Sequence, residues 1–314
     1  MESYCDQIMT RSEAPSAPEY VSHLINEILK KQGWIGTNPQ SVANWYSNSM
    51  KFTFKEIYHE WKKDDRELVY RFCNAWRVND RDDMIITDCK YDGTIGIWPE
   101  FFGFFHCDFE YENRSPIKKI NYLTQRVENS RLKILYSLYN HGIIDQCNIS
   151  LIGLQRDNST AKLEEHHEHC AAQDFFKDRM PYRNWTGSLE QSMMDCEMTL
   201  VHETFYRDPM KVLSDKTFRV LQLPRPFVIF GAPGIISWLK ETGFNVGERF
   251  VDHSYDDIED HARRREAVMY SALNFKWDNV LLRECEIMAL ENRQLLKKFR
   301  KEFPYKLETV LRDL

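Results

Sequence analysis

Phe227-Val228-Ile229-Phe230 is an unbroken apolar run that ends in Gly231-Ala232-Pro233-Gly234. A strand with no polar face has to be covered on both sides, as in a parallel sheet, and the glycine turn behind it lets backbone come close to a ligand. Ahead of it, Glu197 to Thr204 reads as a strand, and Ser214-Asp215-Lys216-Thr217-Phe218-Arg219 reads as a helix start with Ser214 as cap. Helix, buried strand and glycine turn in succession predict an α/β chain.

The same alternation occurs earlier. Ile117 to Leu123 has strand character, Asn129-Ser130 caps a helix before Arg131, and Leu132, Leu135 and Leu138 mark that helix's buried face. Gly142 closes the helix and Asn148 to Ile152 is a second strand, so the block has the length of a βαβ unit. Nearer the start, Tyr20, Val21, Leu24, Ile25, Ile28 and Leu29 predict a helix closed by Gly33, and Phe54, Ile57, Tyr58 and Trp61 suggest a second amphipathic segment. Met84 to Thr87 reads as a buried strand leading to Asp88, either a working carboxylate at a strand's carboxyl end or a turn former. Ser188 with Gln191 resembles a capping box, Ile235 to Thr242 a helix ended by Gly243, and Phe250-Val251-Asp252 a further strand. Leu281, Cys285, Met288, Leu295, Phe299 and Phe303 keep a helical rhythm at the end of the chain.

A net charge of −6 and a pI near 6.0 exclude a general attraction to polyanions. The one dense basic run, Arg263-Arg264-Arg265, follows the acidic stretch Asp256 to Asp260 and reads as a solvated helix start. The eight cysteines form no C-x-x-C pair, and Met1 to Asp6 lacks a basic stretch followed by an apolar one. With no apolar run of membrane-spanning length, these features predict reduced thiols, a cytoplasmic location and no membrane. His166, His167, His169 and Cys170 match no established metal-ligand spacing, so the expectation there is a solvated segment and no metal.

A diphosphate is held by positive charge and backbone N–H groups, and a ribose diol by a carboxylate. Asp215 and Lys216 offer both side by side, and Arg131 stands at the start of the earlier helix. An ordinary capped helix N-terminus explains Ser214 to Arg219 equally well. Between Ile95 and Glu110 an aromatic-rich stretch carries Glu100, Asp108 and Glu110, either an acceptor pocket or a packed edge.

Leu200-Val201-His202-Glu203-Thr204-Phe205, Ser214 to Arg219, Pro226 to Gly234 and Asp252 to Asp260 together resemble the C-terminal half of a group of bacteriophage-encoded glycosyltransferase-like proteins. Those proteins carry an S/T-E-K-T-F-K-P-like motif, then P-F-I-x-x-G-x-P-G and D-E-S-Y-D. The block from Lys118 to Ser150, with Arg126 and Arg131, is similar to the same group. More distantly, both blocks resemble the donor-binding domain of α-1,3-fucosyltransferase-like enzymes of the GT-B class.

The resemblance implies a GT-B-like fold: two Rossmann-like domains facing a cleft, with a helical C-terminus. The corresponding divisions are an acceptor-side domain over 1–115, a donor-binding domain over 116–270 and C-terminal helices over 271–314. It further implies a UDP- or GDP-sugar donor as substrate with no tightly bound cofactor, and a glycan or hydroxymethylated DNA base as acceptor. If phage-encoded, the protein would work in the host cytoplasm. Lys216 matches the lysine on the donor phosphates, Asp215 the carboxylate on the ribose and Arg131 the phosphate-binding arginine; Arg126, Ser214, Arg219 and Gly231 complete the donor set. Glu100, Asp108 and Glu110 are candidates for the catalytic base by chemistry alone. The alternative is a non-catalytic or virion-associated protein that keeps a nucleotide-binding fold.

Overall fold

The computed structural model describes residues 17–36, 41–46, 53–63, 66–73, 84–87, 94–96, 111–124, 129–151, 187–203, 206–207, 211 and 213–312. The chain divides into two compact units, Met1–Phe105 with Leu296–Leu314, and His106–Leu295. The sequence suggests divisions after residues 115 and 270; the observed ones fall after 105 and 295, and the tail of the last helix belongs with the first unit.

In the first unit, helix α1 (Ala17–Lys31) buries Leu24, Ile25, Ile28 and Leu29 on one face, the stripe its spacing predicts. Six strands follow: β1 (Ile35–Gly36), β2 (Ser41–Tyr46), β3 (Thr53–Lys63), β4 (Arg66–Cys73), β5 (Met84–Thr87) and β6 (Thr94–Gly96). They lie in the order β1-β3-β4-β5-β6, with β2 also on β3. β3 pairs antiparallel with β1, β2 and β4, whereas β4-β5 and β5-β6 are parallel, so the sheet is mixed. The amphipathic segment from Phe54 to Trp61 is therefore strand, not helix. It is rich in aromatic and β-branched residues, and the ladders on its two edges decide between two periodicities that a short apolar run satisfies equally.

The second unit contains β7 (Lys118–Thr124), α2 (Asn129–Asn140), β8 (Cys147–Leu151), α3 (Leu189–Met194), β9 (Cys196–His202), α4 (Asp215–Gln222), β10 (Phe227–Phe230), α5 (Ile235–Glu241) and α6 (His261–Asn274), followed by most of α7 (Val280–Arg312). Its four strands are all parallel, in the order β10-β9-β7-β8. β10 is buried along its whole length and β9 nearly so, which accounts for their apolar sequences. The molecule is thus a mixed α/β protein with a parallel four-stranded sheet and a long C-terminal helix. From β7 the chain first goes to β8 on one side and later to β9 on the other. That reversal makes the carboxyl ends of β7 and β9 the topological switch point, the place where open α/β sheets bind ligands.

Several local expectations change. Ser188 Oγ accepts from Gln191 N at 3.0 Å, but the Gln191 amide turns to Asp195 (2.9 Å), so the capping box is half formed. Phe250 to Asp252 is turn and bend: the amides of Phe250 and Val251 both fold back onto the carbonyl of Gly247, whose φ of +72° makes a strand through this point unfavourable. Arg264 is not solvated. It is buried, and its guanidinium donates to the carbonyls of Gly231, Ile258, Glu259 and Tyr206. Asp260, by contrast, caps α6 through Arg263 N, as an acidic helix start should. In α7, the buried Asn292 bonds Leu221 O and Asn245 O and accepts from Asn245 N, fixing that helix to the end of α4.

Candidate functional site

Three helices begin at the carboxyl edge of the parallel sheet, and each first turn is tied down by a side chain from elsewhere in the fold. β9 ends in His202, and Glu203 follows it; both are buried. The Glu203 backbone continues the ladder, its amide donating to Phe230 O at 2.9 Å, while its side chain turns toward the start of α4. There Oε1 accepts from Ser214 N at 2.8 Å and from Thr217 Oγ1 at 2.5 Å. Ser214 stands at the cap position, but its own side chain makes no capping bond; the cap is supplied by Glu203. Burial pushes the Glu203 carboxyl up from its ordinary range, and the Thr217 and Ser214 bonds together with the Lys216 charge oppose that rise.

His202 links this cap to α2. Its Nδ1 lies 2.9 Å from Glu203 O and its Nε2 3.1 Å from Ser130 Oγ, in the first turn of α2. A carbonyl only accepts, so Nδ1 carries the proton and Nε2 of the neutral ring accepts from the Ser130 hydroxyl. Burial drives the His202 pKa well below the ordinary value, and the cations of Arg131 and Lys216 push it the same way. The imidazole therefore stays neutral between two positively charged helix starts. Tyr206 and Phe230 pack edge-on against it, with ring centroids at 5.1 and 4.9 Å.

The start of α5 is capped in the same manner. Asp256 accepts from Ile236 N (2.9 Å), Ser237 N (2.8 Å) and Ser237 Oγ (2.9 Å). In the same segment Tyr255 Oη accepts from Ile229 N on the strand at the sheet's edge and lies 2.9 Å from His253 Nδ1. The block from Asp252 to Asp260 thus closes the edge of β10 and the first turn of α5.

The predicted site residues fall into three groups. Arg131 is buried in the first turn of α2, the helix after β7, and Lys216 is half-buried in the first turn of α4, the helix after β9; Ser214 contributes its backbone N–H to Glu203. Arg219 and Gly231 serve the protein's own packing. Arg219 pairs with Glu190 of α3, the helix that leads into the opposite end of β9. A Cβ on Gly231 would lie 2.8 Å from Ile235 Cδ1 and 3.6 Å from Glu203 Cβ, so its close approach is to helix α5 and Glu203. Glu100, Asp108, Glu110, Arg126 and the side chain of Asp215 lie outside the described residues, as do Asp88 and His166 to Cys170.

Among the described residues no group of His, Cys, Asp and Glu is arranged to hold a metal, and no helix is long and apolar enough to cross a membrane. Cys147, Cys196 and Cys285 are free and buried, and burial pushes the Cys147 and Cys285 thiols up to about 12. Spacing did not reveal His202, Glu203, Thr217 and Asp256 as parts of this edge. The available signal was a His-Glu pair placed directly after a buried apolar strand. No known protein family, characterised protein or solved structure matches the chain.

Proposed function

We propose that the second unit binds a nucleotide-sugar at the carboxyl edge of its parallel sheet, and that the protein is a glycosyltransferase acting on an acceptor hydroxyl. The observation that carries this reading is that the helix starts bearing Arg131 and Lys216 meet at the topological switch point, where His202 bonds Ser130 and Glu203 bonds Ser214 and Thr217. Two cations beside helix N-termini suit a diphosphate. The resemblance of the Ser214, Pro226 and Asp252 blocks to phage glycosyltransferase-like proteins, and more distantly to GT-B fucosyltransferase-like enzymes, gives the ligand its sugar. In the same GT-B-like reading the second unit, with its parallel sheet, is the Rossmann-like donor domain.

In the reaction, a carboxylate takes the proton of the acceptor hydroxyl, the oxygen attacks the anomeric carbon, and the bond to the diphosphate breaks with its electron pair leaving on phosphate. Lys216 and Arg131 stabilise that charge, so the leaving group needs no metal for neutralisation. Glu100, Asp108 and Glu110 supply the candidates for the base. The acceptor is a glycan or a hydroxymethylated DNA base. Release of nucleoside diphosphate from a panel of UDP- and GDP-sugars, with glucosides and hydroxymethylcytosine DNA as acceptors, tests the reaction. Acceptor-dependent release from one donor is expected; no release from any pair contradicts the enzyme reading.

A second reading is a non-catalytic protein that keeps the fold. It is favoured by one observation: Glu203 and Asp256 place the protein's own carboxylates on the first turns of α4 and α5. Nucleotide binding without turnover would select it.

A further inference from the structure

Glu203 lies where the helices that carry Arg131 and Lys216 are joined. We infer, building on the nucleotide reading, that Glu203 is a positioning residue: it sets the first turn of α4, and with it Lys216, against the first turn of α2, and so fixes the spacing of the two cations.

The Glu203 side chain reaches α4 directly, and its carbonyl reaches α2 through the His202 ring. Oε1 holds Ser214 N and Thr217 Oγ1, which bracket Lys216 in the sequence. The carbonyl fixes the His202 ring, whose other nitrogen holds Ser130, the residue before Arg131. The side chain is buried. A carboxylate oxygen accepting two donors in a buried place fixes direction as well as distance. A shift of about 1 Å at a phosphate-binding cation is enough to lower function about a hundredfold.

Three variants separate this role from plain structural support. Glu203→Gln keeps an acceptor oxygen at the same reach; Glu203→Asp withdraws it by one methylene; Glu203→Ala removes it. Leu239→Ala, in the buried face of α5 and outside the edge, serves as a destabilised control. Amide hydrogen exchange of Ser214 to Thr217 is measured in each full-length variant, with calorimetric titration by UDP, GDP, ADP and CDP singly. The expectation is that Glu203→Ala and Glu203→Asp speed exchange in this turn at least tenfold and weaken the nucleotide that binds wild type at least tenfold. Glu203→Gln should restore both to within about threefold, and Leu239→Ala should leave both unchanged.

Unchanged exchange in Glu203→Ala overturns the inference, as does faster exchange with unchanged affinity. An equal loss of affinity in Leu239→Ala also overturns it, since general destabilisation then explains the effect. If none of the four nucleotides binds wild type, the nucleotide reading falls, and the exchange arm alone decides whether Glu203 holds the turn.

Discussion

His202 and Glu203 are neighbours in the chain with opposite electrostatic histories. The folded protein holds the imidazole neutral, with its pKa depressed by burial and by Arg131 and Lys216. Its stabilising contribution is therefore fully present above the unfolded value of about 6.5 and is lost as pH falls below it, by up to about 1.4 kcal/mol per pH unit. Burial raises the Glu203 carboxyl, so its contribution is present below the unfolded value of about 4.3 and is lost as pH rises through the folded value. His202→Gln is accordingly predicted to have a shallower fall in stability between about pH 6.5 and 5 than wild type, read from urea midpoints across that range. An identical slope would show that His202 titrates alike in both states. Glu203→Gln keeps an acceptor oxygen and cannot ionise, so it is predicted to lose less stability than wild type as pH rises, read from the same urea midpoints.

At the scale of elements, the carboxyl edge is organised by caps that arrive from a distance. Asp256→Ala frees three donors at the start of α5 and is predicted to cost about 2 kcal/mol or more, the upper end for loss of a cap because the site is buried. Gly231→Ala forces Ile235 Cδ1 to move and is predicted to cost about 1–2 kcal/mol, measured by chemical denaturation. These distances also explain what was legible in advance. The run at Phe227 announces a strand because its residues are buried on both faces, and Gly33, Gly142 and Gly243, all at positive φ, mark the ends of α1, α2 and α5. The strand from Thr53 to Lys63 was hidden because its aromatic residues fit a helical spacing as well, and only its two ladders decide. The cap of α4 was hidden for another reason. Ser214 has the local signature, but the acceptor is Glu203, eleven residues earlier and brought close only by the return of the chain to the sheet. The same holds for Arg264, which reads as a surface charge until four carbonyls surround it.

At the scale of the molecule, strand order turns these local facts into a site. Because β7 is followed by β8 on one side and β9 on the other, the starts of α2 and α4 adjoin the switch point, and a chain of net charge −6 brings Arg131 and Lys216 to it. The most direct test is calorimetric titration of the full-length protein and its Lys216→Ala variant with UDP and GDP. One nucleotide is predicted to bind wild type with one-to-one stoichiometry and to bind the folded Lys216→Ala variant at least tenfold more weakly. Equal affinity in the two proteins, or no binding of either nucleotide to wild type, would contradict a nucleotide site at this edge.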